Sequence, residues 1–128
     1  MSKEAPSRRL TRRGEVWLAD LNPARGTEPG KTRPVLLVQS QALLDAGHPS
    51  TLVIPLTTHL VENAEPLRLR IQASGLLRRE SDLIVDQIRA IDNHRLIGGP
   101  LTRAPRALMT RVAAAVRDVL DLGSRTQE

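Results

Sequence analysis

The stretch Arg13–Val38, RGEVWLADLNPARGTEPGKTRPVLLV, decides how this chain is read. Residues 15–19, Glu-Val-Trp-Leu-Ala, have the composition of a first strand, and residues 34–39 form a second. That second strand is apolar on both faces and is therefore expected near the middle of a sheet. Between the two, residues 21–32 make a loop rich in proline and glycine. The loop and the start of the second strand carry Arg25, Glu28, Lys31 and Arg33, so charge gathers where backbone stays at the surface. Arg33 stands directly before Pro34 and the run Val35-Leu36-Leu37-Val38. A cation so placed has its stem in a rigid frame and its head in solvent, which suits it to hold a phosphate.

Working outward, Gln41–Asp45 reads as one helical turn before the Gly47-His48-Pro49 break. Thr51–Leu56 is a third strand, in which Pro55 marks a bulge or an edge. Leu67–Ile71 alternates apolar and charged residues, as a half-exposed strand does. Asp82–Ile88 reads as one further buried strand, and Ile97–Leu101 as a short one after a turn near Asn93. The period then changes. Leu108, Val112, Val116 and Val119 or Leu120 recur at steps of three and four, which predicts a helix over residues 105–121, with Thr102 and Pro105 near its first turn and Gly123 at its stop. This helical stripe reads equally as core packing or as part of a contact between two copies. Short strands followed by one helix define a mainly β class with a C-terminal helix: a small, strongly bent barrel with the helix packed on it. Residues 1–13 read as a basic N-terminal tail and residues 14–128 as a single domain.

Composition narrows the function. The chain of 128 residues has no cysteine, which removes disulfides and thiolate metal sites and fits the reducing cytoplasm. No apolar stretch backs the basic N-terminus, so no secretory signal is read there, and the longest apolar run, Val112–Val116, falls far short of the roughly 18–20 residues of a membrane span. A soluble, cytoplasmic protein with no membrane partner is expected. Of the net charge of +5, four units come from residues 1–13, where Lys3, Arg8, Arg9, Arg12 and Arg13 oppose Glu4. The rest is close to neutral, so a salt-sensitive attraction to nucleic acid would reside in the tail, which reads equally as a solvated arm. Trp17 is the only aromatic residue, so the stacking platforms of common RNA-binding modules are absent.

Three segments together resemble the MazF/PemK (Kid) toxin family, the RNA-cleaving half of bacterial toxin–antitoxin pairs. They are RGEVWLADLNPARGTEPGKTRPVLLVQS from Arg13, VIPLTTHL at 53–60 and DLIVDQIRAIDNHRL at 82–96, in the family's order. The resemblance implies an SH3-like barrel of the CcdB/PemK kind assembled as a homodimer. It implies a sequence-specific, metal-independent endoribonuclease that cuts single-stranded mRNA, blocks translation, and is inhibited by a cognate MazE-like antitoxin. No cofactor is expected. Carried over by motif, Arg33 in TRPV and Thr57 in IPLTT match the catalytic pair, Glu28 matches a loop glutamate, and Asp86 and Gln87 match the DQ pair. Thr58, Arg25 and Lys31 are expected to support RNA binding. In the Kid branch a histidine precedes the loop glutamate and an arginine stands two residues before the DQ pair. Here those positions are Thr27 and Ile84, and Pro29 replaces the usual glutamine. The acid–base set of that branch does not transfer intact.

RNA can be cut without a metal because its 2′-hydroxyl attacks the adjacent phosphorus, leaving a 2′,3′-cyclic phosphate and a 5′-hydroxyl. The reaction needs a proton acceptor, a proton donor, and hydrogen-bond donors around the phosphoryl oxygens. Arg33 offers a planar fork to two phosphate oxygens but does not release a proton near neutral pH, so its expected role is phosphoryl stabilisation. Thr57 would donate its hydroxyl to a phosphoryl oxygen. Glu28 could orient Arg33, contact a base edge or accept the nucleophile's proton, or simply sit in solvent. Asp86 reads either as a reader of exocyclic amines and aid to proton transfer, or as a structural carboxylate. Histidine titrates near pH 6.5, but His48 and His94 lie in turns where exposed imidazoles are ordinary. His59 is the one imidazole of interest, since strand alternation would place it on the face of Thr57. No spacing of these residues suggests a metal site. Two rivals remain: a gyrase poison of the CcdB type, which relies on a Trp-Gly-Ile ending whereas this chain ends Ser-Arg-Thr-Gln-Glu, and a non-catalytic SH3-like binding module.

Overall fold

The computed structural model describes residues 10–23, 26–27 and 31–123. Its elements run β1 (Glu15–Asp20), β2 (Thr32–Leu37), α1 (Gln41–Asp45), β3 (Ser50–Thr57), β4 (Arg68–Ile71), β5 (Ser81–Ile84), β6 (Arg89–Asp92), β7 (Leu96–Arg103) and α2 (Arg106–Val119). The seven strands form one antiparallel sheet in the order β4-β5-β3-β2-β1-β7, with β6 also paired to β3. Among the described residues no ladder joins β4 to β7, so the sheet curls without closing by hydrogen bonds. A tight bridge at Ser74 and Leu77 approaches β7 there, with Leu76 N–H donating to the Leu101 carbonyl at 2.8 Å.

β3 explains the curl. One of its edges pairs with β2 through residues 53–55; the other pairs with β6 through residues 50–53 and with β5 through residues 56–57. The chain therefore leaves β5, makes a 3-10 turn at Val85–Gln87 and returns to the same edge as β6. The expected single strand over Asp82–Ile88 thus stops at Ile84 and gives way to a turn, because Asp86 and Gln87 break the apolar run, and a further strand begins only at Arg89.

The two faces of the sheet bury different clusters. On one face Val16, Leu36, Ile54 and Leu83 pack against Leu108, Val112 and Ala115 of α2. On the other, Trp17, Ala19, Val35, Leu37, Val53, Ile91 and Leu96 pack together. Alternation along β1, β2 and β3 sends successive side chains to opposite clusters, and the apolar reading of both faces of β2 holds. Each buried Leu, Val or Ile stabilises the fold by about 1.5–3 kcal/mol relative to exposure. In α2 the buried line is Leu108, Val112 and Ala115; Val116 and Val119 pack at its margin, and Leu120 is exposed. The helix closes at its C-cap Leu120, and Asp121 just after it takes a left-handed conformation (φ 57°) while Leu122 N–H donates to the Arg117 carbonyl at 2.8 Å. The expected stop at Gly123 therefore falls two residues earlier, on a residue type that tolerates this region when it closes a cap.

Residues 11–13, read from sequence as part of the tail, are fastened to the body. Arg12 N–H donates to Glu15 at 3.0 Å, Arg13 N–H donates to Gln41 at 2.8 Å, and the Gln41 amide donates to the Thr11 carbonyl at 3.2 Å. The remaining tail cations, Lys3, Arg8 and Arg9, lie outside the described residues.

Candidate active site

Antiparallel pairing of β2 with β3 brings the start of one beside the end of the other, so Arg33 and Thr57, far apart in sequence, line the same cavity of about 490 Å³. Arg33 is half-buried, and its Nη1 donates to the carbonyl of Leu56 at 3.1 Å. Pro34 follows it in the cavity wall, and Leu36 and Leu37 beyond anchor the strand on both sides of the sheet. Anchoring the guanidinium to the backbone beside Thr57 keeps it at the chamber wall, and its planar fork suits bidentate recognition of a phosphate.

Thr57 is the last residue of β3, and the N–H of His59 donates to its hydroxyl oxygen at 3.1 Å. No described residue accepts the hydroxyl proton, so Thr57 is set to donate it. Thr58 also lines the cavity and is exposed. Two cations that the sequence reading missed, Arg78 and Arg79, stand on the cavity's other side, beyond Leu76 and Leu77. Their only signal in the sequence is a charged pair directly after an apolar pair in LLRRE. Among the described residues the lining combines cations, hydroxyls and apolar side chains, with no carboxylate. Such a chamber favours an anion and a base at once: arginines for the phosphate, Leu18, Pro34, Leu76 and Leu101 for the ring.

Asp86 and Gln87 lie elsewhere. They line a second cavity of about 390 Å³ with Thr27, Arg68 and Ile84. The Gln87 side-chain amide is 3.4 Å from the Thr27 hydroxyl, so the DQ turn faces the described end of the 21–32 loop. This cavity has mixed charge, with the Asp86 carboxylate and the Gln87 amide beside a guanidinium, Arg68, whose Nη1 is bonded to Asp82 and the His59 carbonyl. The turn 58–61 divides it from the first: Thr58 lines one and Val61 the other.

β3 ends at Thr57, so strand alternation does not reach His59. Its imidazole is exposed and does not line the Arg33 cavity, and its backbone N–H is what meets Thr57. Lys31 is exposed at the entry to β2, in a left-handed conformation (φ 65°), with its N–H donating to the Asn22 side chain at 2.6 Å. Arg25 and Glu28 lie outside the described residues. Among the described residues no three His, Asp or Glu side chains are grouped to hold a metal ion, and no helix is long and apolar enough to cross a membrane.

A buried ion cluster backs the cavity wall. Asp82 of β5, 1 % exposed, pairs in register with Thr57. It accepts from Arg70 Nε at 2.6 Å, from Val61 N–H at 2.8 Å and from Arg68 Nη1 at 3.3 Å. Burial alone would raise its pKa, but the Arg70 hydrogen bond, the Val61 N–H and the nearby Arg68 outweigh it and hold the carboxyl below its ordinary range. Nothing local in the chain signals this cluster, since Ser81-Asp82-Leu83 reads as a plain strand.

An open antiparallel sheet backed by one C-terminal helix, with an Arg–Thr pair in a cationic chamber, suits the binding of an anionic ligand. The family model for the PemK-like, MazF-like toxin of type II toxin–antitoxin systems matches residues 12–120. The chain is 32 % identical over 117 residues to endoribonuclease EndoA of Bacillus subtilis, covering 88 % of this chain and 97 % of that protein. It is 35 % identical over 91 residues to endoribonuclease MazF of Staphylococcus saprophyticus, covering 68 % of this chain and 72 % of that one. In fold it matches MazF from Deinococcus radiodurans with a TM-score of 0.73 at 18 % identity, covering 88 % of this chain and 98 % of that one. The chain belongs to the PemK/MazF family of type II toxins.

Proposed function

We propose that this chain is the toxin of a toxin–antitoxin module, a sequence-specific endoribonuclease that cleaves single-stranded mRNA in the cytoplasm and so blocks translation. Family membership and the endoribonuclease names of two relatives support the activity. The observation that carries the chemistry is the convergence of the Arg33 guanidinium and the Thr57 hydroxyl on one cavity.

The reaction is an internal transesterification that uses no metal. The ribose 2′-oxygen bonds to phosphorus as the bond from phosphorus to the 5′-oxygen breaks. The 2′-hydroxyl loses its proton to a base, and the departing 5′-oxygen gains one. Charge accumulates on the two non-bridging oxygens, where Arg33 supplies a fork of N–H donors and Thr57 one O–H. Arg78 and Arg79 neutralise adjoining phosphates, and Thr58 adds a neutral donor at the rim. Asp86 and Gln87, across the 58–61 turn, read a neighbouring base from the second cavity. No carboxylate or imidazole among the described residues lines the Arg33 chamber, so stabilisation of the phosphorane is its main contribution. Lys31, exposed at the entry to β2, adds a cation for RNA on this loop, and the family resemblance assigns Glu28 and Arg25, outside the described residues, the same supporting role.

The working unit is a symmetric homodimer, and the inhibitor is a MazE-like antitoxin whose acidic segment occupies the cationic chamber. Support for this partner comes from the MazE–MazF complex of Deinococcus radiodurans, whose chain matches at a TM-score of 0.70. The test is incubation of purified protein with mixed single-stranded RNA in EDTA. The expected products carry 2′,3′-cyclic ends, and Arg33→Ala abolishes them. RNA left intact while gyrase is inhibited would select the CcdB-type reading, and neither effect a purely binding module.

A further inference from the structure

The turn that follows Thr57 is gripped by one buried carboxylate, and this grip has a consequence for the hydroxyl. Asp82 takes the Val61 N–H directly at 2.8 Å. Through Arg68, whose Nη1 it shares at 3.3 Å, it also holds the His59 carbonyl, which accepts from the same nitrogen at 3.2 Å. Through Arg70 it reaches Glu62, whose carboxylate accepts from Arg70 Nη2 at 2.9 Å. Residues 59, 61 and 62 are thus tied to a single group lying in register beside Thr57. The turn is otherwise exposed, and its residues 58–62 make no strand.

What the grip fixes is the direction of a hydrogen bond. His59 N–H points at the Thr57 oxygen at 3.1 Å, occupying an acceptor lone pair of the hydroxyl. A hydroxyl that already accepts on one side presents its O–H away from that donor. Should the turn relax, the hydroxyl could rotate and offer a lone pair to the incoming phosphate oxygen, which repels it. We infer that Asp82 is a positioning residue for cleavage: with Arg68 it holds the 58–62 turn so that His59 N–H keeps the Thr57 hydroxyl donating into the Arg33 chamber. The inference rests on the nuclease reading above and adds a residue to it.

The carboxylate touches neither RNA nor the reacting atoms, so its effect passes entirely through Thr57. Single-turnover cleavage of a defined RNA at saturating enzyme is measured for the wild type, Asp82→Asn, Thr57→Ala and the double variant. Asp82→Asn lowers the rate about tenfold while leaving the half-saturating enzyme concentration unchanged. In the Thr57→Ala background the same change has almost no further effect, because the hydroxyl it orients is gone. Arg68→Gln leaves the Arg70–Asp82 pair intact, removes the clasp on His59, and shows the same non-additivity. Hydrogen exchange supplies a readout independent of activity: in either variant the His59 amide exchanges at least about tenfold faster, while the Ile54 amide stays protected.

Equal losses in both backgrounds, or an unchanged His59 amide, overturn the positioning role and leave the nuclease reading standing. Wild-type protein that leaves the RNA uncut removes both.

Discussion

The two cavities on either side of the 58–61 turn make a useful contrast. The first is walled by Arg33, Arg78 and Arg79 with no carboxylate among the described residues; the second sets Asp86 against Arg68 beside the Gln87 amide. A chamber of one sign concentrates an anion and stabilises charge as it develops, whatever the base attached. A chamber with donors and acceptors of both signs discriminates among base edges and does little for the phosphorus. The proposed function therefore assigns chemistry and sequence preference to adjacent but separable places.

Mutations test that separation, beginning where the effect is largest. Arg33→Ala should abolish cleavage, and Arg33→Lys should still lose about a hundredfold in single-turnover rate, since an ammonium supplies charge without the fork. A lysine variant with near-normal turnover would show that charge alone suffices there. Thr57→Ala should slow the same step by about a hundredfold with the cleavage sites unchanged. Changes in the second cavity should behave differently. Asp86→Asn and Gln87→Ala are expected to cut the preferred site about tenfold more slowly and to spread cleavage over related sequences, as read by mapping a long transcript. If instead they slow every site uniformly, the division of labour is wrong and Asp86 belongs with the proton transfers.

Acid stability probes the wall between the cavities. Asp82 has a folded pKa below its ordinary value of 3.8, so its contribution is complete above that value and is lost as pH falls through the lower folded one. Arg68 and Arg70 pair with it directly, and Glu62 and Glu80 pair with Arg70 on the far side of that guanidinium. Asp82→Asn should therefore remove part of the stability at pH 7, about 1–3 kcal/mol, and leave a shallower decline in denaturant midpoint on acidification. An unaltered pH profile would mean that the carboxylate is paired equally in the unfolded chain.

The smallest effect belongs to the tail. Removing residues 1–9 deletes Lys3, Arg8 and Arg9 and should lower the slope of log affinity against log salt by at most about two, at roughly 0.7 per cation for single strands, with cleavage sites unaltered. The deletion should stop there, because Thr11, Arg12 and Arg13 are hydrogen-bonded to Glu15 and Gln41.

What the sequence revealed follows from how each feature is encoded. Arg33 before Pro34 and an apolar run is a local pattern that can be read directly, whereas Thr57 was reached through the family resemblance of IPLTT, since a threonine at a strand end is ordinary by itself. The terminal helix and six of the seven strands were legible, because apolar period is a local property. β6 was hidden: apolar residues on both sides of Asp86 and Gln87 concealed the turn at Val85–Gln87, after which β6 returns to the edge of β3 that β5 also uses. The Asp82 cluster was equally invisible, since its partners come from β4 and from the turn after β3 and meet only in the folded sheet. Arg78 and Arg79 gain meaning only from the cavity they face.

Trp17 packs against Gly99 so closely that a Cβ there would stand 2.5 Å from the indole ring, and its Nε1–H donates to the buried Glu15 at 3.0 Å. With no tyrosine or phenylalanine in the chain, that indole is the whole of its ultraviolet emission. Light from this protein therefore reports on one spot, where β1 and β7 meet. A red shift on heating or in denaturant marks the parting of those two strands, and the native protein offers a ready-made optical gauge for every variant proposed above.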